Sequence, residues 1–203
     1  DPNRGGGRVV VGCDALSDPA RSMLGAAQEQ WFTEGLTRST RRWKLVAQST
    51  QMSSSGVNTP LGRSAFTDGW DGYPQARARL LGTVAQAGVS NVLMLGGDVH
   101  MNVAAQLRVQ ANDERSPVVA SEIVTTSVTS RGLGEKLLAQ IRESNPDILH
   151  ARSDERGYTV LDVRPEGVAA EFRTTPNPAQ ADGVFKTQAQ WAIRSGVAGL
   201  HKA

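Results

Sequence analysis

The run NVLMLGGDVH, residues 91–100, constrains this chain more than any other stretch. Val92 to Leu95 is continuously apolar, short, and bounded by turn residues, which predicts a central strand covered on both faces. The run stops at Gly96 and Gly97, which leave room for a close approach, and then sets Asp98 and His100 two positions apart. Ligands of open α/β sheets gather at the carboxyl ends of such strands. In an extended segment residues i and i+2 point the same way, so one cation would be offered a carboxylate and an imidazole together. Gly-Gly-Asp after a strand is also an ordinary turn, with His100 a hydrogen-bonded loop histidine, and the spacing alone leaves both readings open.

Elsewhere the pattern alternates strand and helix up to residue 97 and then turns mostly to antiparallel β. Residues 1–20 carry Gly, Pro and Asp without periodicity and read as an irregular connection. Leu24, Ala27, Trp31 and Leu36 recur at helical spacing between Ser22 and Ser39, predicting an apolar stripe laid on the sheet. WKLVAQ (43–48) reads as a strand, and the polar stretch Ser49 to Thr67 as a long loop able to lie over a site. DGWDGYP (68–74) packs two Asp, two Gly, two aromatics and a Pro into a rigid turn before a helix from about Gln75 to Ala87. VAAQLRVQ and SPVVASEIVTTS read as strands turning at Asn112 and Asp113. A helix from Gly134 to Ser144 precedes Asn145-Pro146. Tyr158 to Val163 and Val168 to Thr174 form a hairpin across Pro165, Glu166 and Gly167. Together these predict a layered α/β sandwich and not an all-parallel wound sheet.

Composition narrows the classes. The chain has 203 residues, 39% of them hydrophobic and 21% charged, enough for one domain with a core or a large piece of something bigger. No apolar run approaches the roughly 20 residues of a membrane span. A formal charge of +2, with Arg38, Arg41, Arg42 and Lys44 the one local basic cluster, gives no nucleic-acid footprint; the cluster reads as a solvated helix end. Four scattered Trp make no stacking platform for single strands. Cys13 stands alone and can make no internal disulfide. The start, DPNRGGGRVV, carries no signal peptide and looks like the inside of a loop, which suggests an upstream part. Serines are plentiful, but no G-x-S-x-G elbow exposes one as a nucleophile.

Several further residues have two readings each. Trp70 and Tyr73 either wall a pocket or plug their loop to the core. Thr126, Ser127, Thr129 and Ser130 either line a substrate cleft or fit a half-solvated strand face. Arg156 either meets a phosphate or pairs with a core carboxylate. His150 and His201 have no ligand partner at useful spacing and read as surface residues.

RSMLGAAQEQWF (21–32), WKLVAQ (43–48), DGWDGYPQARARLL (68–81), NVLMLGGDVHMN (91–102), SEIVTTSVTSRG (121–132), NPDI (145–148) and ERGY (155–158) follow one another in the order of one known family. From about Asp18 onward the chain resembles the PhoD-like alkaline phosphatases, members of the calcineurin-like metallophosphoesterases. DGWDGYP and GDVH at their mutual distance carry most of that specificity. The resemblance implies an α/β fold, half of a four-layer α/β/β/α sandwich with mixed sheets, with residues 1–20 a connecting segment and 21–203 the carboxyl-terminal half of a catalytic domain. The amino-terminal half, with its cysteine, aspartate, tyrosine and asparagine ligands, has no counterpart pattern here.

Carried over by position, the resemblance implies that Asp98 and His100 are metal ligands in a centre of Ca2+ and Fe3+, with Zn2+ or Mn2+ as alternatives. A hard calcium suits the Asp98 carboxylate and iron accepts the His100 imidazole. The implied activity is metal-dependent hydrolysis of phosphate esters, as an alkaline phosphatase or phosphodiesterase, needing an upstream half. The alternative is a catalytically silent interaction fragment of the same fold. The implied partners are that amino-terminal half and a phosphate-ester substrate. Cys13 is then either a free thiol or an interchain disulfide to the other half, and the implied location is periplasmic or secreted.

Overall fold

The computed structural model describes residues 7–180 and 182–203, and residues 1–6 of the expected irregular start lie outside that range. The rest of that start is partly regular: β1 (Val9–Val11) is a short strand followed by a 3-10 turn at Asp14–Ser17. The helix α1 (Ala26–Arg38) follows, starting four residues later than its periodicity suggested, after Gly25 at φ 78°. Next come β2 (Lys44–Ala47), β3 (Asn58–Thr59) and β4 (Gly62–Phe66), then α2 (Pro74–Gln86), which has its proline at the first position, where no backbone donor is needed. The apolar run forms β5 (Val92–Gly96), followed by β6 (Asn102–Arg108), β7 (Val118–Val124), α3 (Glu135–Ser144) and β8 (Ile148–Arg152). The chain ends with β9 (Arg156–Val163), β10 (Gly167–Thr175), β11 (Lys186–Arg194) and β12 (His201–Lys202).

These strands make three sheets, ordered β2-β5-β7-β6-β8, β12-β11-β10-β9 and β1-β4-β3. In the five-stranded sheet β2, β5 and β7 are parallel, while β6 runs antiparallel to both β7 and β8. It is therefore mixed, as expected. In β5 the covering of both faces is plain: Val92 and Met94 pack with Leu36 of α1 and Leu80, Leu81 and Val84 of α2, whereas Leu93 meets the second sheet. That second contact, Leu93, Ala104 and Ile123 against Val168, Ala170, Phe172, Trp191 and Ile193, is a sheet-on-sheet core. A third cluster seats Leu138 and Ile141 of α3 on Val103, Ala105 and Ile148. The layers are helix, sheet and sheet. Removing Leu93, which is fully buried, to Ala would cost about 2–5 kcal/mol.

The hairpin of β9 and β10 forms in the predicted place, pairing Val163 with Val168 around a turn in which Arg164 N–H meets the Gly167 carbonyl. Three sequence expectations need correction. Trp31 points to solvent, 71% exposed, so α1 lays Leu36 and Phe32 on the core and not Trp31. The stretch 49–67 is not a free loop: it contains the β3–β4 hairpin, and Thr50, Gln51, Met52 and Ser53 are buried. His150 is half-buried, stacked 5.6 Å from Phe172, with Nε2 3.1 Å from Gln188 Oε1, whereas His201 is exposed as expected. Among the described residues no helix is long and apolar enough to cross a membrane.

Candidate metal centre

Because β5 and β7 are parallel, their carboxyl ends leave the sheet at one edge, where β6 begins. Thr125 N–H donates to the Gly96 carbonyl at 3.0 Å, and Gln48 N–H to the Leu95 carbonyl at 2.9 Å, so the segments after β2, β5 and β7 are tied together there. Gly96 is a glycine for a steric reason. A Cβ at that position would collide with the Thr50 carbonyl and touch the Val124 side chain.

Asp98 and His100 follow directly, but the backbone is not extended. Residues 98–100 form a bend in which Asp98 has φ 69° and His100 φ 55°, so the i, i+2 argument for a shared direction does not apply. A positive φ is uncommon outside glycine and stores strain unless the surroundings fix it. Both residues are fixed. Thr50 Oγ1 donates to Asp98 Oδ2 at 3.3 Å, and His100 Nδ1 lies 2.9 Å from the carbonyl oxygen of Arg131. A carbonyl only accepts, so the neutral ring carries its proton on Nδ1 and leaves the Nε2 lone pair for an electrophile. Metal-ligating histidines commonly have this arrangement.

The loop supplying the Arg131 carbonyl is itself held. A Cβ on Gly132 would strike the Ser153 carbonyl and the His100 carbonyl, so only glycine passes between them. Arg156, 7% exposed, holds backbone and not a core carboxylate. Its guanidinium donates to the carbonyls of Ser130, Ser153 and His100 and to Ser127 Oγ, stitching this loop to the start of β9. Asn102 Oδ1 accepts from Thr126 N–H at 2.9 Å beside it. Thr129 and Ser130 are exposed in the loop beyond β7, not on a strand face.

On the other side of Asp98 the segment 48–55 is clamped from three directions. Glu122, central in β7 and fully buried, accepts from Met52 N–H at 2.6 Å, Ser53 N–H at 2.8 Å and Gln48 Nε2 at 3.2 Å. Burial pushes its carboxyl above the usual carboxylate range, against the lowering effect of hydrogen bonds from the Ser53 side chain and the Met52 and Ser53 backbone and of the Arg77 charge. Arg77 of α2, also buried, donates Nε to the Met52 carbonyl at 2.8 Å. Asp71 accepts from Ser54 Oγ and from Ser55 N–H and Oγ. Trp70 is a plug, 4% exposed, with its indole N–H on Gln48 Oε1 at 2.8 Å, and Tyr73 lies under the Arg21 guanidinium at 4.5 Å. The DGWDGYP turn therefore braces the 48–55 segment, and Trp70 also lines a cavity shared with Cys13, Ser54, Arg63, Asp71 and Arg77.

One carboxylate and one imidazole nitrogen fit a metal ion as donors, and among the described residues no group of three or more His, Cys, Asp or Glu side chains is placed to hold one. Thr50, Glu122, Arg131 and Gly132 were not singled out from the sequence. Glu122 alone left a mark there, as the one charge inside the apolar run VVASEIV. Cys13 is half-buried and forms no disulfide within the chain.

Comparison with known proteins bears on this edge. The PhoD-like phosphatase family model matches residues 6–172. Alkaline phosphatase D of Bacillus subtilis (strain 168) is 33% identical over 192 residues, 93% of this chain and 33% of its own length. A solved structure of PhoD superposes with a TM-score of 0.87 at 30% identity, over 97% of this chain and 38% of that one. The chain thus spans about a third of the length of the curated relative.

Proposed function

Because this chain belongs to the PhoD-like phosphatase family, we propose that it supplies Asp98 and His100 to the metal centre of a phosphate-ester hydrolase. The observation that carries the reading is the His100 ring, whose Nδ1 is occupied by the Arg131 carbonyl so that Nε2 is left for a cation. Asp98 would offer the hard oxygen that Ca2+ takes and His100 the nitrogen that Fe3+ accepts, with Zn2+ or Mn2+ as alternatives. A bound metal centre supplies acidification of the attacking water and neutralisation of the phosphoryl oxygens. The chain's own part is positional: Thr50 steadies the carboxylate, Arg131 sets the imidazole tautomer, and Arg156 fixes the loop carrying Arg131.

On this reading the helix-sheet-sheet unit is half of a four-layer α/β/β/α sandwich, residues 21–203 being the carboxyl-terminal half of a catalytic domain. The remaining ligands come from an amino-terminal half, and Cys13 is available for a disulfide to it. The site works in the periplasm or outside the cell. On this reading Thr129 and Ser130, exposed on the loop before Arg131, meet the substrate, and Arg156 holds that loop. The test is hydrolysis of p-nitrophenyl phosphate and bis(p-nitrophenyl) phosphate by a chain carrying both halves, before and after chelation. Chelator-sensitive release from the monoester supports an alkaline phosphatase and from the diester a phosphodiesterase. Chelator-resistant turnover would remove the metal reading. A silent interaction fragment of the same fold is the second reading, favoured by the want of a third ligand among the described residues.

A further inference from the structure

We infer that Glu122 is a positioning residue for the Asp98 carboxylate, acting through residues 50–53; this rests on the reading of Asp98 as a metal ligand. A fully buried carboxylate in the middle of a strand is costly unless its oxygens are satisfied. Here the hydrogen bonds Glu122 accepts come from one short segment: Gln48 Nε2, Met52 N–H, Ser53 N–H and the Ser53 side chain. Those bonds bracket Thr50. Thr50 Oγ1 donates to Asp98 Oδ2, and its carbonyl lies so close to Gly96 that no Cβ fits between them.

The segment thus touches the strand that delivers Asp98 by its backbone and Asp98 itself by a hydroxyl, and Glu122 sets the height at which both contacts are made. Arg77 Nε pulls the Met52 carbonyl from the helix side, so the peptide between residues 52 and 53 is held at its oxygen by Arg77 and at its N–H by Glu122. A carboxylate suits this place because it accepts two backbone N–H groups at once. Glutamine of the same shape would set an NH2 against one of them.

The test is a Ca2+ titration of the apo form of a chain carrying both halves, alongside its melting temperature. The variants are Glu122→Gln, Thr50→Val, Thr50→Ser, the Glu122→Gln/Thr50→Val pair, and Asp98→Ala. Asp147→Asn, which weakens the buried Arg108–Asp147 bridge elsewhere, controls for destabilisation alone. The expected result is a Ca2+ dissociation constant raised about tenfold in Glu122→Gln and in Thr50→Val, no further in the pair, and near wild type in Thr50→Ser and Asp147→Asn. If Glu122→Gln does not fold, Gln48→Met, which removes one of the donors to Glu122, takes its place with the same expectation. Unchanged Ca2+ affinity in Glu122→Gln with affinity lost in Asp98→Ala overturns the positioning role alone. Unchanged affinity in Asp98→Ala overturns the metal reading and this inference with it.

Discussion

His100 and Arg131 are 31 residues apart in sequence, and the ring nitrogen Nδ1 of the first rests 2.9 Å from the carbonyl oxygen of the second. The contact fixes the tautomer of the imidazole and its tilt at once. It also links the turn after β5 to the loop after β7, so the geometry of a candidate ligand depends on a backbone segment that bears no ligand.

Gly132 gates that segment. Gly132→Ala places a methyl against the Ser153 and His100 carbonyls, and the loop must move. The expected outcome is a loss of about 1–3 kcal/mol in urea unfolding together with weakened metal retention on dialysis. A variant that keeps its metal at wild-type level would mean that the Arg131 carbonyl does not control the site.

Asp98 is exposed and His100 only partly buried, so neither holds up the core. Asp98→Ala and His100→Ala in a chain that also carries the proposed amino-terminal half are expected to drop phosphate-ester turnover by several orders of magnitude while the melting temperature of the metal-free protein barely changes. Retained turnover in either variant would take that residue out of the centre.

Arg156 makes its bonds mostly to backbone carbonyls, and its side chain is buried among them. Arg156→Leu is expected to cost about 3 kcal/mol, and Arg156→Lys to recover only part of it, because an ammonium cannot span the same acceptors. Chemical denaturation of the three proteins decides this. Were Arg156 instead a phosphate contact, Arg156→Leu would raise KM at unchanged stability.

His150 gives a pH dependence of known sign. Burial pushes its ring below the ordinary histidine value, with the Gln188 hydrogen bond opposing. Between the lowered folded value and the ordinary one of about 6.5 the unfolded chain binds more protons, so stability rises with pH there and is lost as pH falls below about 6.5. The urea midpoint should therefore decline from neutral to mildly acidic pH, and His150→Leu should flatten that decline. An equal slope in both proteins would show that other groups carry it.

Much of this was readable in the chain. The length and apolarity of Val92 to Leu95 force a doubly covered strand, and the DVH turn at its end follows from the two glycines before it. The helix after DGWDGYP and the β9–β10 hairpin are likewise local in origin. The buried state of Thr50 to Ser53 was not readable, because what satisfies the Met52 and Ser53 backbone lies far off in sequence: Glu122 about 70 positions on, Arg77 about 25. Polarity looked like exposure where it was polarity with a distant partner. The extended geometry assumed for Asp98 and His100 failed partly for a similar reason, since besides the local Val99 N–H bond to the Gly97 carbonyl the bend is held by the distant Thr50 and Arg131. His150 looked like a surface residue because the Phe172 and Gln188 that enclose it come from another sheet and another part of the chain.

The measurement that tests the central claim most directly is elemental analysis, for calcium, iron, zinc and manganese, of a purified chain that also carries the proposed amino-terminal half, compared with its Asp98→Ala/His100→Ala double variant at matched folding. The account predicts near-stoichiometric metal in the first and a clear loss in the second. Equal metal content in the two would contradict it, leaving Asp98 and His100 as members of an ordinary turn.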